Sequence, residues 1–535
     1  MVEKDLSMKI SMYRKPYLYG SITAVVLMLV GWLVGQVLAT SDNTYMRILL
    51  LQDVVNHVSL RYVDDIPQDQ LYQRAVNGLL KNLDPYTELI PADEFKRFQE
   101  LQIKSEYLGT GISISRVNGD IVVMSTFPGS SAWRQGLQPG DRIIRVDGSP
   151  TKGWSTEQAK TNLLGPEGTA VQVSVSRVGV PEPIDLTLTR TPVVVPTVTR
   201  HFMLEPGVGY LRLSNFTERS VEELKQYLDQ LQDQGMTSLI LDLRDNVGGL
   251  TEPAIDICDL FLSKRQLIVS MRGRHQEDSK SFFSTGKPDF KDQPLVVLIN
   301  EFTASSSEIV AGAFQDHDRA VIVGTNSFGK GLVQTTFPLS TGDVLKITTA
   351  RYYTPSGRNI QREIYRRQRF RSEDEDDEEE EDQEKKEERY VTDMGREVKG
   401  GGGITPDVVV EADSAASDPL IAEVFPHAFD FAVAYRSTHP GLQKPFQAGP
   451  EIYQAFLDHL AEKQVKPDKE KIARYRRYLT DYLLTYQIAQ VTWDENTAYQ
   501  LVSRSDKQLT KALGIITSGR TQAEIIGKIS QEQSN

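Results

Sequence analysis

From Thr191 onward the chain alternates strand-like and helix-like segments, and that alternation restricts the fold more than any other feature. G-Y-L-R-L at 209–213 reads as a strand and V-E-E-L-K-Q-Y-L-D-Q-L at 221–231 as an amphipathic helix. S-L-I-L-D-L at 238–243, P-L-V-V-L-I-N at 294–300 and A-V-I-V-G-T at 320–325 are apolar without a polar alternate, as expected of strands covered on both faces. Strands of this kind separated by helices specify an α/β layer structure.

The 535 residues exceed one ordinary core, so further domains are expected on the N-terminal side. R-I-L-L-L-Q-D-V-V-N-H-V and L-Y-Q-R-A-V-N-G-L-L-K-N-L carry apolar residues at helical spacing, and the pattern breaks at Asp84–Pro85. G-I-S-I-S, D-I-V-V-M, D-R-I-I-R-V and V-Q-V-S-V-S-R-V, separated by turns such as V-D-G-S, form a small β unit. The resulting division is a helical region at 40–103, a β domain at 104–192, an α/β core at 193–411 and a helical region at 412–535. In the last of these, Ile472, Tyr475, Leu479, Tyr482 and Tyr486 make a heptad-like stripe. Core packing is its first reading, and a surface for self-association or an adaptor is the alternative.

The net charge of −13 is largely local, because residues 373–388 hold 13 acids and 2 lysines. A like-charge block of this kind reads as a solvated insertion at about 372–389. No domain is basic, which argues against a nucleic-acid partner. Cys258 is the only cysteine, so neither an intramolecular disulfide nor a cysteine-based metal cluster is available. Residues 18–39 carry no charge and are long enough to span a bilayer, with Lys9, Arg14 and Lys15 before them and Asp42 after. This predicts a cytoplasmic N-terminus at 1–16, a single-pass anchor at 17–39 and the remainder outside. Cleavage of a signal peptide near Ala39 is the alternative.

The chemistry centres on T-A-S-S-S-E-I, beginning at Thr303. Ser305 and Glu308 form S-x-x-E, a capping box ahead of an apolar helix, whose N-terminus favours nearby negative charge. G-T-N-S-F-G-K at 324–330 fits the spacing of a phosphate loop, but Gly331 and a strand-like run follow where a hydroxyl and a helix are required. Lys330 between two glycines is instead a candidate base, since burial disfavours the charged amine and a neutral amine can activate a serine. D-L-R-D-N-V-G-G-L at 242–250 ends in glycines whose amides can approach a ligand. H-E-x-x-H and G-x-S-x-G are absent. His317 lies 12 residues into the helix from Ser305, about 18 Å along its axis, which disfavours a His/Asp/Ser site.

Taken in order, L-D-P-Y-T, Y-L-G-T-G-I-S-I, Q-G-L-Q-P-G-D-R-I-I-R-V-D-G, L-L-G-P-E-G-T-A-V, D-L-R-D-N-V-G-G-L, T-A-S-S-S-E-I-V-A-G-A-F-Q-D, S-F-G-K-G-L-V-Q and R-Y-Y-T-P-S-G-R-N-I-Q resemble the carboxyl-terminal processing peptidases, or tail-specific proteases, over residues 45–411. The resemblance implies a PDZ domain ahead of a crotonase-like α/β peptidase core within a multidomain α+β protein. It implies Ser305 as nucleophile, Lys330 as base, Gln334 as its orienting partner, and an oxyanion hole from Gly248 or Gly249 with Ser306. Ser306 departs from the alanine usual there. If Lys330 and Gln334 lie in one strand, their spacing of four puts them on one face. The PDZ loop Leu108, Gly109, Thr110, Gly111 and Ile112 is expected to hold a terminal carboxylate while the peptide adds a strand. No cofactor or metal is implied. The expected partners are proteins with exposed non-polar C-terminal tails, in the periplasm of a bacterium whose inner membrane holds the anchor. A non-catalytic PDZ scaffold at the membrane is the rival reading.

Overall fold

The computed structural model describes residues 26–29, 45–286, 289–362 and 389–534. It divides into two compact units, Met1–Leu89 and Ile90–Asn535. The anchor expected at 17–39 lies outside the described residues except for 26–29, which are helical, and so does the acidic run at 373–388. Among the described residues no helix is long and apolar enough to cross a membrane.

In the first unit helices cover 45–61 and Gln68–Lys81. The second is followed by a turn at Asp84, whose carboxylate accepts the Tyr86 and Thr87 amides, both at 2.8 Å. This side chain-to-backbone turn offers the chain an alternative to a further helical turn.

In the second unit the small β domain has strands β1 (Ile112–Val117), β2 (Asp120–Thr126), β3 (Arg142–Val146), β4 (Ala170–Ser176) and β5 (Ile184–Thr189), with helix α1 (Thr156–Leu163) between β3 and β4. The sheet order β1-β2-β3-β4-β5 leaves β1 at an edge. A two-stranded ribbon, Glu106–Gly109 with Thr191–Val194, joins the domain to the core.

The core sheet is built from β6 (Val198–Glu205), β7 (Val208–Leu213), β8 (Ser238–Asp242), β11 (Leu295–Ile299), β12 (Val321–Gly324) and β15 (Val408–Val409), in that order. Pairing is antiparallel between β6 and β7 and parallel thereafter. Helices α2 (Ser220–Asp233), α3 (Thr251–Asp259) and α4 (Ser306–Asp316) cover one face. A second, antiparallel sheet has the order β10-β9-β14-β13, from β9 (Leu267–Gly273), β10 (Lys280–Phe283), β13 (Leu332–Pro338) and β14 (Val344–Tyr353).

Every residue of β8 and β11 is buried. Leu239, Leu241, Leu295, Val297 and Ile299 point into the core under α2–α4. Ile240, Val296 and Leu298 point into a second core against helices from the C-terminal region, including α6 (Glu495–Val502) and α7 (Lys507–Ile516). The missing polar alternate is thereby explained, since both faces of the sheet are dry.

Another part of the C-terminal region packs on the β domain. Helix α5 (Pro419–Thr438) shares a core with Val117 and Val122. Val433 sits against Gly140, at φ +92°, where a Cβ would lie 2.5 Å from a Val433 methyl. Asp430 accepts from Asn118 Nδ2 at 2.7 Å and from Arg142 Nη2 at 3.0 Å. The tyrosine-rich stripe serves these cores: Ile472 and Leu479 are buried with α5, and Tyr482 and Tyr486 pack under the peptidase-core sheet. It is also interrupted by a π-helical stretch, Leu479–Leu484, which breaks the heptad register.

Replacing Asp430 with alanine removes the acceptor shared by Arg142 and Asn118. We expect it to cost about 1 kcal/mol, read as a lower urea midpoint for unfolding, because the half-buried Arg142 loses one of its two carboxylate partners.

Candidate active site

The three loops that carry the predicted site residues leave the carboxyl ends of adjacent parallel strands. Gly248 and Gly249 follow β8, Ser305 follows β11 and Lys330 follows β12. Parallel neighbours release their chains at one edge of a sheet, and in open α/β sheets that edge is where a crevice forms. Segments about 60 and 25 positions apart in sequence are thereby brought together.

The serines are not equivalent. Ser306 and Ser307 are fully buried, whereas Ser305 is only half-buried. The Ser306 hydroxyl donates to the carbonyls of Gly249 (3.0 Å) and Leu250 (3.1 Å), and that of Ser307 to the Asn246 carbonyl (2.9 Å). Ser305 immediately precedes α4 with φ 55° and ψ −115°. Positive φ at a residue bearing a side chain is strained and is retained where the surroundings enforce it.

Glu308 supplies much of that enforcement. Its Oε2 accepts the Ser305 amide at 2.8 Å, the half of the capping box in which the acid reaches back. The same oxygen accepts the Lys330 amide at 2.9 Å, while Oε1 accepts the Gly329 amide at 2.8 Å and the Ser327 hydroxyl at 2.5 Å. Burial pushes this carboxyl up, and the four hydrogen bonds oppose the shift. Three of the donors are amides that can only donate, so the geometry accommodates the ionised form. One buried side chain thus ties the backbone of Ser305 to that of Lys330. The S-x-x-E pattern exposed the cap, but nothing in the sequence pointed to its reach across to the lysine loop.

The glycine loop is sewn to the serine loop. Asn246 O accepts Ala304 N at 3.0 Å, and Leu243 O accepts the Thr303 hydroxyl at 2.9 Å. Gly248, at φ +99°, lies so close that a Cβ would fall 2.8 Å from both Ala304 O and Ser305 Cβ. Its amide is occupied, donating to Asn246 Oδ1 at 2.9 Å. For the Gly249 and Ser306 amides no protein acceptor is found among the described residues.

Lys330 is half-buried and lies before β13 rather than in it. The pairing register slips between Val333 and Gln334, leaving Thr349 of β14 unopposed, and because Lys330 lies outside the strand the argument for a shared face does not hold. Gln334 pairs across to Thr348, and its Nε2 is buried without a hydrogen-bond acceptor among the described residues. His317 is at the far end of α4, with Nδ1 on Asp393 (2.8 Å) and Nε2 on the Leu267 carbonyl (2.7 Å). It stands away from the serines, as helical rise requires.

In the β domain, Leu108 and Gly109 belong to the connecting ribbon, and Thr110 and Gly111 form a buried turn before Ile112 opens β1. The carbonyls of Thr110 and Gly111 accept the Ala132 and Phe127 amides, each at 3.0 Å. The outer edge of β1 pairs with no other strand among the described residues.

A glutamine at 308 would place an NH2 against two of the four donors now facing carboxylate oxygen. We expect Glu308→Gln to cost about 1–3 kcal/mol, read as a lower urea midpoint for unfolding, because two of the donors that meet carboxylate oxygen lose their acceptor.

A family model for Peptidase family S41 matches residues 207–366, and a PDZ domain model matches residues 99–176. The chain is 40% identical over 325 residues to a carboxy-terminal-processing protease of Bartonella bacilliformis, spanning 60% of this chain and 74% of that protein. It is 37% identical over 294 residues to a carboxyl-terminal-processing protease of Synechocystis sp., spanning 54% and 68%. A solved photosystem II D1 C-terminal processing protease aligns at 30% identity over 58% of this chain and 90% of its own, with a TM-score of 0.35. The relatives are named as proteases, which favours a peptidase over a non-catalytic PDZ scaffold. With its PDZ and S41 regions in the expected order, the chain belongs to the carboxyl-terminal processing peptidases of family S41.

Proposed function

We propose that this peptidase cleaves its substrates with a Ser305/Lys330 dyad. The observation that carries the reading is that Ser305 alone of the three serines is partly accessible, its two neighbours being buried with committed hydroxyls. Ser305 attacks the scissile carbonyl while Lys330 takes its proton and then passes it to the leaving amine. Gln334, with an uncommitted Nε2, helps to orient the base. Of the two glycines the reading favours Gly249 for the oxyanion hole together with Ser306, because the Gly248 amide already has an acceptor. Water then releases the acyl-enzyme.

The PDZ domain selects the substrate class in this reading. A peptide adds along the free edge of β1, and its terminal carboxylate meets the turn at Leu108–Ile112. The expected substrates are extracytoplasmic proteins with non-polar C-terminal tails. Residues 17–39 hold the enzyme in the bacterial inner membrane with the peptidase on the periplasmic side.

Two measurements test this. Ser305→Ala and Lys330→Ala should each abolish cleavage of a protein bearing an apolar tail, with circular dichroism unchanged; full activity in either variant rejects the dyad. The full-length chain should stay in the membrane fraction through an alkaline carbonate wash. A soluble product beginning after Ala39 would identify a cleaved signal instead.

A further inference from the structure

The glycine loop is held at its root by a residue whose partners come largely from the C-terminal helical region. Arg244 lies just beyond the end of β8 and is 8% exposed. Its Nε and Nη2 donate to Asp242 at 2.9 and 2.6 Å, within the peptidase core. The other contacts come from a segment more than 250 positions away. Nη1 meets Asp506 Oδ2 at 2.9 Å and Gln508 Oε1 at 2.9 Å, and Nη2 meets the Tyr499 hydroxyl at 3.0 Å. That hydroxyl donates in turn to Asp506 at 2.7 Å.

Asp242 cannot satisfy this guanidinium alone. Five N–H donors in a fixed fork need acceptors on several sides, and a buried donor without one is costly. Asp242 is itself fully buried and also accepts the Tyr210 hydroxyl at 2.6 Å. Burial would push its carboxyl up, but Arg244 and Arg212 hold it below its ordinary range. The remaining Arg244 donors therefore depend on α6, on α7 and on Asp506 between them.

From Arg244 the backbone runs directly into the site. The Asp245 amide donates to Asn300 Oδ1 at 2.9 Å. Asn246 then holds Gly248 with its side chain, and with its carbonyl it holds Ala304 and the Ser307 hydroxyl. A displaced Arg244 would move the start of this stretch, and Gly249 is only five positions beyond it.

We infer that Asp506, Tyr499 and Gln508 are positioning residues for the oxyanion loop, so the C-terminal helical region is part of the peptidase's catalytic framework. This rests on the dyad reading above.

Asp506→Asn tests it, because asparagine can still cap α7, as Asp506 does through the Leu509 amide, yet loses the charge facing Arg244. Tyr499→Phe removes only the hydroxyl, and Gln508→Met, the mildest change, decides the matter should the others fail to fold. Each is expected to lower kcat about 10-fold or more with KM within about twofold, since a small displacement of an oxyanion donor acts on the transition state. A peptide aldehyde, whose adduct with Ser305 carries the oxyanion, should bind more weakly by the same factor. An uncleaved tail peptide should bind the PDZ domain as before. Arg477→Gln is the control, because it breaks an exposed ion pair with Asp481 in the same region without touching Arg244 or Tyr499; its kcat should not change. The inference is overturned if the folded variants match Arg477→Gln in kcat and aldehyde affinity. Retained cleavage by Ser305→Ala would instead overturn the dyad and leave the Arg244 contacts to be explained as packing.

Discussion

Parallel pairing of β8, β11 and β12 is the constraint on which the site depends. Each strand is short, fully buried and followed by a loop, and parallel register forces the three loops out at one edge. The apolar strands thus have two functions with one cause. They exclude water from both faces of the sheet, and by doing so they fix where the polar loops emerge.

At that edge the loops are joined by buried polar groups. Glu308 binds the backbone on either side of the proposed dyad, and Asn246 binds the glycine loop to the serine loop. A buried carboxylate is costly unless its oxygens are satisfied. With four donors, Glu308 can remain buried only while Ser305, Ser327, Gly329 and Lys330 keep their present arrangement. The desolvation cost thereby becomes geometric specificity. The departure from the family's usual alanine at 306 has a similar role, because that hydroxyl supports the carbonyls of Gly249 and Leu250.

The C-terminal helical region is neither a tail nor a separate body. Its first part shares a core with the PDZ sheet, and its last part forms the second face of the peptidase sheet. Without it Ile240, Val296, Leu298 and Val323 would face water, and Arg244 would lose most of its acceptors outside the peptidase core. The tyrosine stripe contributes to these internal contacts, with Ile472 and Leu479 buried and Tyr475, Tyr482 and Tyr486 half-buried.

Local chemistry made much of the protein legible in advance. Unbroken apolar runs identified the buried strands, the turn residues bounded the PDZ strands, and the S-x-x-E pattern placed the start of α4. These depend on neighbours a few positions away, whose effects are set by backbone sterics and side-chain periodicity. Which serine remains accessible was decided by tertiary structure, because Ser306 and Ser307 are committed to carbonyls about 60 positions upstream. The register slip opposite Gln334, where Thr349 of β14 is left unopposed, likewise follows from strand pairing and not from local spacing. The grip of Asp506 on Arg244 joins residues 262 positions apart. The sequence by itself determined the elements and the residue types available for chemistry. Only the packed sheet decided which of those groups meet, because burial makes each one find a partner wherever the fold has brought it.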